Sequence, residues 1–142
     1  MNNTHETTLD FDNTVTTEER FEMRKFINNF IVSVNDKNQN DVEDDIADGF
    51  VAQGISEFIM QKPQLVGTLY RKFFGRKNNY MWFPKLKLTK NKNLFYLYGT
   101  YEEYQQGILS TEGDIEMKVT YDSDGKFQFV SWNFFPRMRM VE

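Results

Sequence analysis

Residues 121–135, YDSDGKFQFVSWNFF, decide how this chain folds. The run DSDG is a hairpin turn, with Gly125 at the position that needs a positive φ, and a strand follows it. Strands usually keep apolar residues on one face and polar residues on the other. Here Phe127, Phe129 and Phe135 fall on one parity, and Val130, Trp132 and Phe134 on the other. A strand with large residues on both parities needs cover on both faces, and the rest of the chain has to supply it.

Just upstream the pattern also has a period of two. In GDIEMKVTY, Ile115, Met117, Val119 and Tyr121 oppose Asp114, Glu116, Lys118 and Thr120. LFYLYGTYEEY is a second long strand, with a bulge expected at Gly99. YMWFPKLKL is a third, in which Lys85 and Lys87 point opposite to Leu86 and Leu88. Pro84 has no N–H to donate to a ladder, so it marks an edge or a bulge.

Earlier in the chain the period lengthens. Thr16 and Glu19 fit a capping box, and Met23, Phe26, Ile27, Phe30, Ile31 and Val34 form one apolar stripe, which predicts a helix over about 16–35. DVEDDIADG predicts a short second helix, with Asp41 as cap, Val42 and Ile46 sharing a face, and Gly49 as left-handed stop. FVAQGISEFIM is extended, with a Gly kink. A third helix opens at Pro63, runs through Leu65, Val66, Leu69, Tyr70, Phe73 and Phe74, and closes at Gly75.

Helices first and antiparallel strands afterwards predict an α+β fold, with three helices packed in the concave face of a curved antiparallel sheet. One domain is expected over residues 14–142, behind a leader, 1–13, that reads as disordered. The helices cover one face of the last strand. The rings on its other face are expected to meet a second copy of the chain, giving a homodimer through the outer sheet face.

A chain of 142 residues can bury a core without staples. It has no cysteine, which excludes disulfides, thiolate zinc sites and cysteine nucleophiles. His5 is the only histidine and lies in the polar start, so histidine triads and multi-histidine metal sites are excluded as well. No cofactor and no metal are expected. No apolar run approaches the ~20 residues that span a bilayer, and the start lacks the form of a secretory signal. A cytoplasmic protein with no membrane partner is the expectation. Charge is segregated: residues 1–57 hold 13 acids and 4 bases, while 58–142 hold 8 acids and 13 bases.

The order long helix, short helix, short strand, helix and then four strands resembles the nuclear-transport-factor-like superfamily. The resemblance rests on DGFVAQG leading into the first strand, on the Pro-initiated helix KPQLVGTLYRKFF, and on DGKF followed by alternating large residues. This cone-shaped fold is shared with ketosteroid isomerases, scytalone dehydratase and SnoaL-like polyketide cyclases. The resemblance implies a deep pocket between the helices and the concave sheet, and often a dimer across the other face of the sheet. It implies no particular activity, because one scaffold hosts enzymes and binding modules alike. Histidine chemistry known from such cones has no residue here to perform it.

Within that frame the expected ligand-binding residues are Tyr70, Tyr80, Trp82, Tyr96, Tyr98 and Trp132, whose rings offer apolar contact with a polar tip. They suit a small apolar or aromatic ligand. Glu102 or Glu116, if buried, would titrate high and could act as a catalytic base. The plainer reading has the rings filling the cone and both acids facing water.

Asp41, Asp45 and Asp48 have a spacing a divalent metal could use, but acids early in a helix are ordinarily solvated partners of its dipole. DSDG lacks the later Gly and Glu of a calcium loop. The basic, ring-rich stretch 62–92 suggests a polyanion, yet Lys85 and Lys87 alternate with leucines as lysines guarding an edge strand do. Nucleic acid is therefore not the expected partner. Two functions remain: a non-catalytic pocket protein that binds a small ligand or a protein partner, or an enzyme doing carboxylate-based proton transfer.

Overall fold

A computed structural model describes residues 6–36, 39–54, 59–74, 76 and 78–137. Thr16 caps α1, Thr17–Asn35: its hydroxyl accepts from the Glu19 amide at 3.1 Å, and the Glu19 carboxylate accepts from the Thr16 amide at 2.9 Å. Both halves of the capping box are therefore formed. The α1 stripe of Met23, Ile27, Phe30 and Val34 is fully buried. α2 is only Gln39–Asp44, shorter than expected, because β2 already begins at Ile46 (Ile46–Gln53). Gly49 therefore lies in a strand and stops no helix. Burying Ile46, Phe50 and Ala52 against the core outweighs the helical propensity of this acidic run. β3 (Met60–Gln61) leads into α3 (Lys62–Leu69), which carries Pro63 in its first turn and widens into a π-helical turn, Tyr70–Phe74. Gly75 and His5 lie outside the described residues.

The remaining strands are β4 (Tyr80–Trp82), β5 (Lys85–Asn91), β6 (Leu94–Gln105), β7 (Ile108–Tyr121) and β8 (Phe127–Pro136). β5, β6, β7 and β8 form an antiparallel meander within a curved sheet. The sheet as a whole is mixed, in the order β1-β5-β6-β7-β8-β2-β3, with β4 beside β6. The expectation of a purely antiparallel sheet needs that correction: β2 runs parallel to β8, and the flanking strand β1, Thr8–Phe11, runs parallel to β5.

β1 belongs to the stretch expected to be a loose leader. Its Leu9 sits opposite Leu86 and is buried, and the Thr8 amide donates to the Pro84 carbonyl at 3.0 Å. YMWFPKLKL is divided at Pro84 into β4 and β5, which lie one after the other along the same edge of β6. Gly99 makes no bulge, since its register opposite Leu86 is regular. A Cβ there would stand 1.8 Å from the Lys85 carbonyl oxygen, so only glycine permits the approach.

The puzzle of the last strand is resolved by a bulge. Lys118 pairs with Ser131 and Val119 with Phe129, leaving Val130 as an extra residue. One extra residue flips the parity of everything after it. Phe127 and Phe129 before the bulge, and Trp132 and Phe134 after it, are consequently all buried on the same, inner face. Phe30 of α1 meets Phe129 at 4.9 Å and Trp132 at 5.6 Å, so this is the face the helices cover. Of the strand's large rings only Phe135 is left outward, 51 % exposed. The ring-covered outer face expected from strict alternation is corrected accordingly.

Candidate functional site

The interior of the cone is built around Trp132. Its ring lies edge-on to Phe30, Phe50, Phe83, Phe129 and Phe134, at centroid distances from 5.3 to 6.1 Å. It is 1 % exposed, and among the described residues its Nε1–H has no hydrogen-bond partner. Such edge-to-face packing stabilises beyond simple area burial, and here five rings surround the Trp132 indole. Of the six expected ligand-binding residues, Trp132 is buried in this interior and Trp82 packs half-buried against the same core.

Tyr96 and Tyr98 stand on the outer face of β6, 38 % and 54 % exposed, because Phe95, Leu97 and Tyr101 take the inward positions. Tyr70 is 53 % exposed on the π-helical turn. Tyr80 and Trp82 flank Met81, which takes the inward position of β4.

The candidate acids divide in the same way. Glu116 is exposed on the outer face of β7. Glu102 lies on that side too, with its Oε1 accepting from Trp82 Nε1 at 2.8 Å and from the Tyr104 hydroxyl at 3.0 Å. Tyr104 stacks on Tyr80 at 4.6 Å. Burial, and then the hydrogen bond to Glu102, push the Tyr104 hydroxyl up to about 12. Tyr80, Trp82, Glu102 and Tyr104 thus form one cluster along the β4–β6 pairing, with the half-buried Trp82 ring also packed against the core.

The acid that does point inward is Glu103, one residue along. It is 9 % exposed, and the Lys72 ammonium from the π-helical turn meets it at 2.8 Å. Tyr101, two residues earlier on the same face, is buried, and burial followed by the Glu103 charge pushes its hydroxyl up to about 12. The sequence signal for Glu103 was the shared parity of Phe95, Leu97, Tyr101 and Glu103. It is masked because tyrosines occupy both parities of β6 and fit either side.

Among the described residues, two of the cavities open outside the cone. One, of about 640 Å³, opens between α1, α2 and the β7–β8 hairpin. Asp41, Asp44 and Asp45 are on its wall. Burial, and then the neighbouring charges of Asp41 and Asp44, raise the Asp45 carboxyl to about 7. The other, of about 510 Å³, lies at the β6–β7 turn beside Arg76. Asp41, Asp45 and Asp48 do not converge, and among the described residues no group of three or more His, Cys, Asp or Glu could hold a metal ion. The basic stretch 62–92 finds partners inside the chain: Lys62 meets Asp48 at 3.4 Å, Lys72 meets Glu103, and Lys90 meets Glu19. No helix among the described residues is long and apolar enough to cross a membrane.

No family profile and no curated protein matches the sequence. Solved structures do resemble the fold. A protein of unknown function with a cystatin-like fold from Nostoc punctiforme superposes with a TM-score of 0.70 at 12% identity, covering 87% of this chain and 94% of that one. An NTF-2 like protein of unknown function from Pseudomonas aeruginosa gives 0.69 at 12% identity, covering 82% and 99%. A putative ketosteroid isomerase from Shewanella frigidimarina gives 0.62 at 8% identity, covering 79% and 93%. The chain has the nuclear-transport-factor-like α+β cone, and identities this low extend the likeness to fold alone.

Proposed function

We propose that this chain is a non-catalytic binding module of the nuclear-transport-factor-like fold that works through association with a protein, a second copy of itself, and encloses no ligand in its cone. The observation that carries this reading is the filling of the cone by Trp132 and its five ring neighbours. A pocket protein needs an open, mostly apolar space, and here the side chains themselves take that space.

The outer face is suited to self-association. In register across the sheet run Lys87, Tyr98, Glu116 and Asn133, and beside them Thr89, Tyr96, Lys118 and Ser131. Tyrosines mixed with both signs of charge are typical of a non-obligate interface. A two-fold axis through such a face can bring the lysines of one copy to the acids of the other. Sedimentation equilibrium at tens of micromolar is expected to return twice the mass of the chain. A monomer at that concentration would refute the association.

A second reading is favoured by Glu103, an inward, nearly buried carboxylate of the kind a proton-transfer enzyme would use. Incubation with a β,γ-unsaturated cyclic ketone, followed by the absorbance of the conjugated product, tests it. Turnover that Glu103→Gln abolishes would establish this reading against the non-catalytic one, and no turnover is the expected result.

A further inference from the structure

The larger cavity belongs neither to the cone nor to the outer face. Its floor is aromatic: Tyr121 stacks on Phe127 at 4.8 Å, and Phe26 of α1 meets Phe127 edge-on at 5.7 Å. Tyr121 is 39 % exposed, so part of its ring is open to whatever enters. The rim is acidic. Glu22 comes from α1 and Asp36 from its C-terminal cap, and Asp41 and Asp44 from α2, with Asp45 just after it. Among the described residues that line it, Lys25 and Lys126 stand against them, so acids outnumber bases five to two.

We propose that this groove binds a small organic cation, a protonated amine carried on an aromatic or branched apolar body. Two independent features select that chemistry. Aromatic faces attract a cation through their quadrupole and attract an apolar body by burial. The carboxylates supply a negative field focused by the groove walls. Among the described residues no hydrogen bond reaches the Asp45 carboxylate, and its charged neighbours are Asp41 and Asp44 on its own side and Lys126 across the groove.

A bare metal ion fits less well, since these acids do not converge on one point. A volume of about 640 Å³ also lies within the range of small-molecule sites, ~300–1,000 Å³. Asp45 carries the sharpest specificity, because burial and like charges already disfavour its ionised form and an ammonium beside it would relieve both.

The test uses three probes of one shape at pH 8: 2-phenylethylamine, 2-phenylethanol and 3-phenylpropionate. Each is titrated into the full chain while the backbone amide shifts of Tyr121, Lys126 and Phe127 are followed. The amine is expected to saturate with an affinity about tenfold above the alcohol, and the acid is expected to be weakest. Asp45→Asn should weaken the amine about fivefold, whereas Lys126→Gln should tighten it about threefold, a gain that misfolding cannot produce. Equal affinities for the three probes, shifts confined to residues elsewhere, or no saturable shift with the amine would each overturn the proposal. None of these outcomes depends on whether the outer face self-associates.

Discussion

At the scale of single residues, Asp45 has the clearest consequence for pH. Its unfolded-state value is near 3.8 and its folded value about 7, raised by burial and by the charges of Asp41 and Asp44. The folded protein therefore holds this proton more tightly than the unfolded chain does. Below pH 3.8 both states are protonated and Asp45 costs nothing. As pH rises from 3.8 to 7 the folded state progressively loses stability, and above 7 the full penalty applies. Asp45→Asn should stabilise the protein at pH 8 by about 1–2 kcal/mol, a figure discounted for the carboxylate's partial contact with solvent. It should do little at pH 3.5. Urea midpoints at the two pH values check this, and an equal effect at both would rule out ionisation as the cause.

Single residues also show where sequence reading reaches its limit. Trp132 lies in the interior of the cone, whereas of Glu102 and Glu103 it is Glu103 that turns inward. Both are adjacent acids on one strand. Only the packing of Phe95, Leu97 and Tyr101 against the core says which of them turns inward.

At the scale of elements, the bulge at Val130 governs the architecture. Without it Trp132 and Phe134 would turn to the outer face while Phe127 and Phe129 stayed within, splitting the ring cluster that fills the cone. Deleting Val130 is expected to abolish cooperative unfolding and the near-ultraviolet dichroism of the packed rings. Val130→Ser keeps the residue count and should leave both intact. A deletion variant with native near-ultraviolet signal would show that the parity shift does not matter. The helices were more legible than the strands. α1 was readable nearly to the residue, since a capping box and a six-residue apolar stripe are local signals. β1 was not readable, because a four-residue strand gains its ladder and its burial only from β5, far along the chain.

At the scale of the whole molecule, the lopsided charge of the two halves is partly cancelled within the chain. Lys90 of β5 reaches Glu19 of α1, and Lys62 of α3 reaches Asp48 of β2, so two bases of the stretch 62–92 pair with the acidic half of the chain. The outer face keeps a mixed surface, and association there is expected to depend on its exposed tyrosines. Tyr98→Asp sits on an exposed position, so it should abolish the proposed association and sediment as a folded monomer with an unchanged far-ultraviolet dichroism spectrum. A Tyr98→Asp protein that sediments like the parent would place any interface elsewhere.

The sequence by itself determined that the chain is α+β, that its first helix is capped and amphipathic, that strands follow helices, and that neither cysteine nor histidine chemistry runs in its body. Those conclusions rest on composition and on periodicities repeated over a few residues, which neighbouring residues alone can express. The tertiary structure decided which side of each strand faces in, that β1 joins the sheet, that six rings cluster inside the cone and that a groove lies outside it. Each of these turns on one residue of register or on a contact between distant segments, and the free energy that settles it comes from burial, which exists only once the chain has closed on itself.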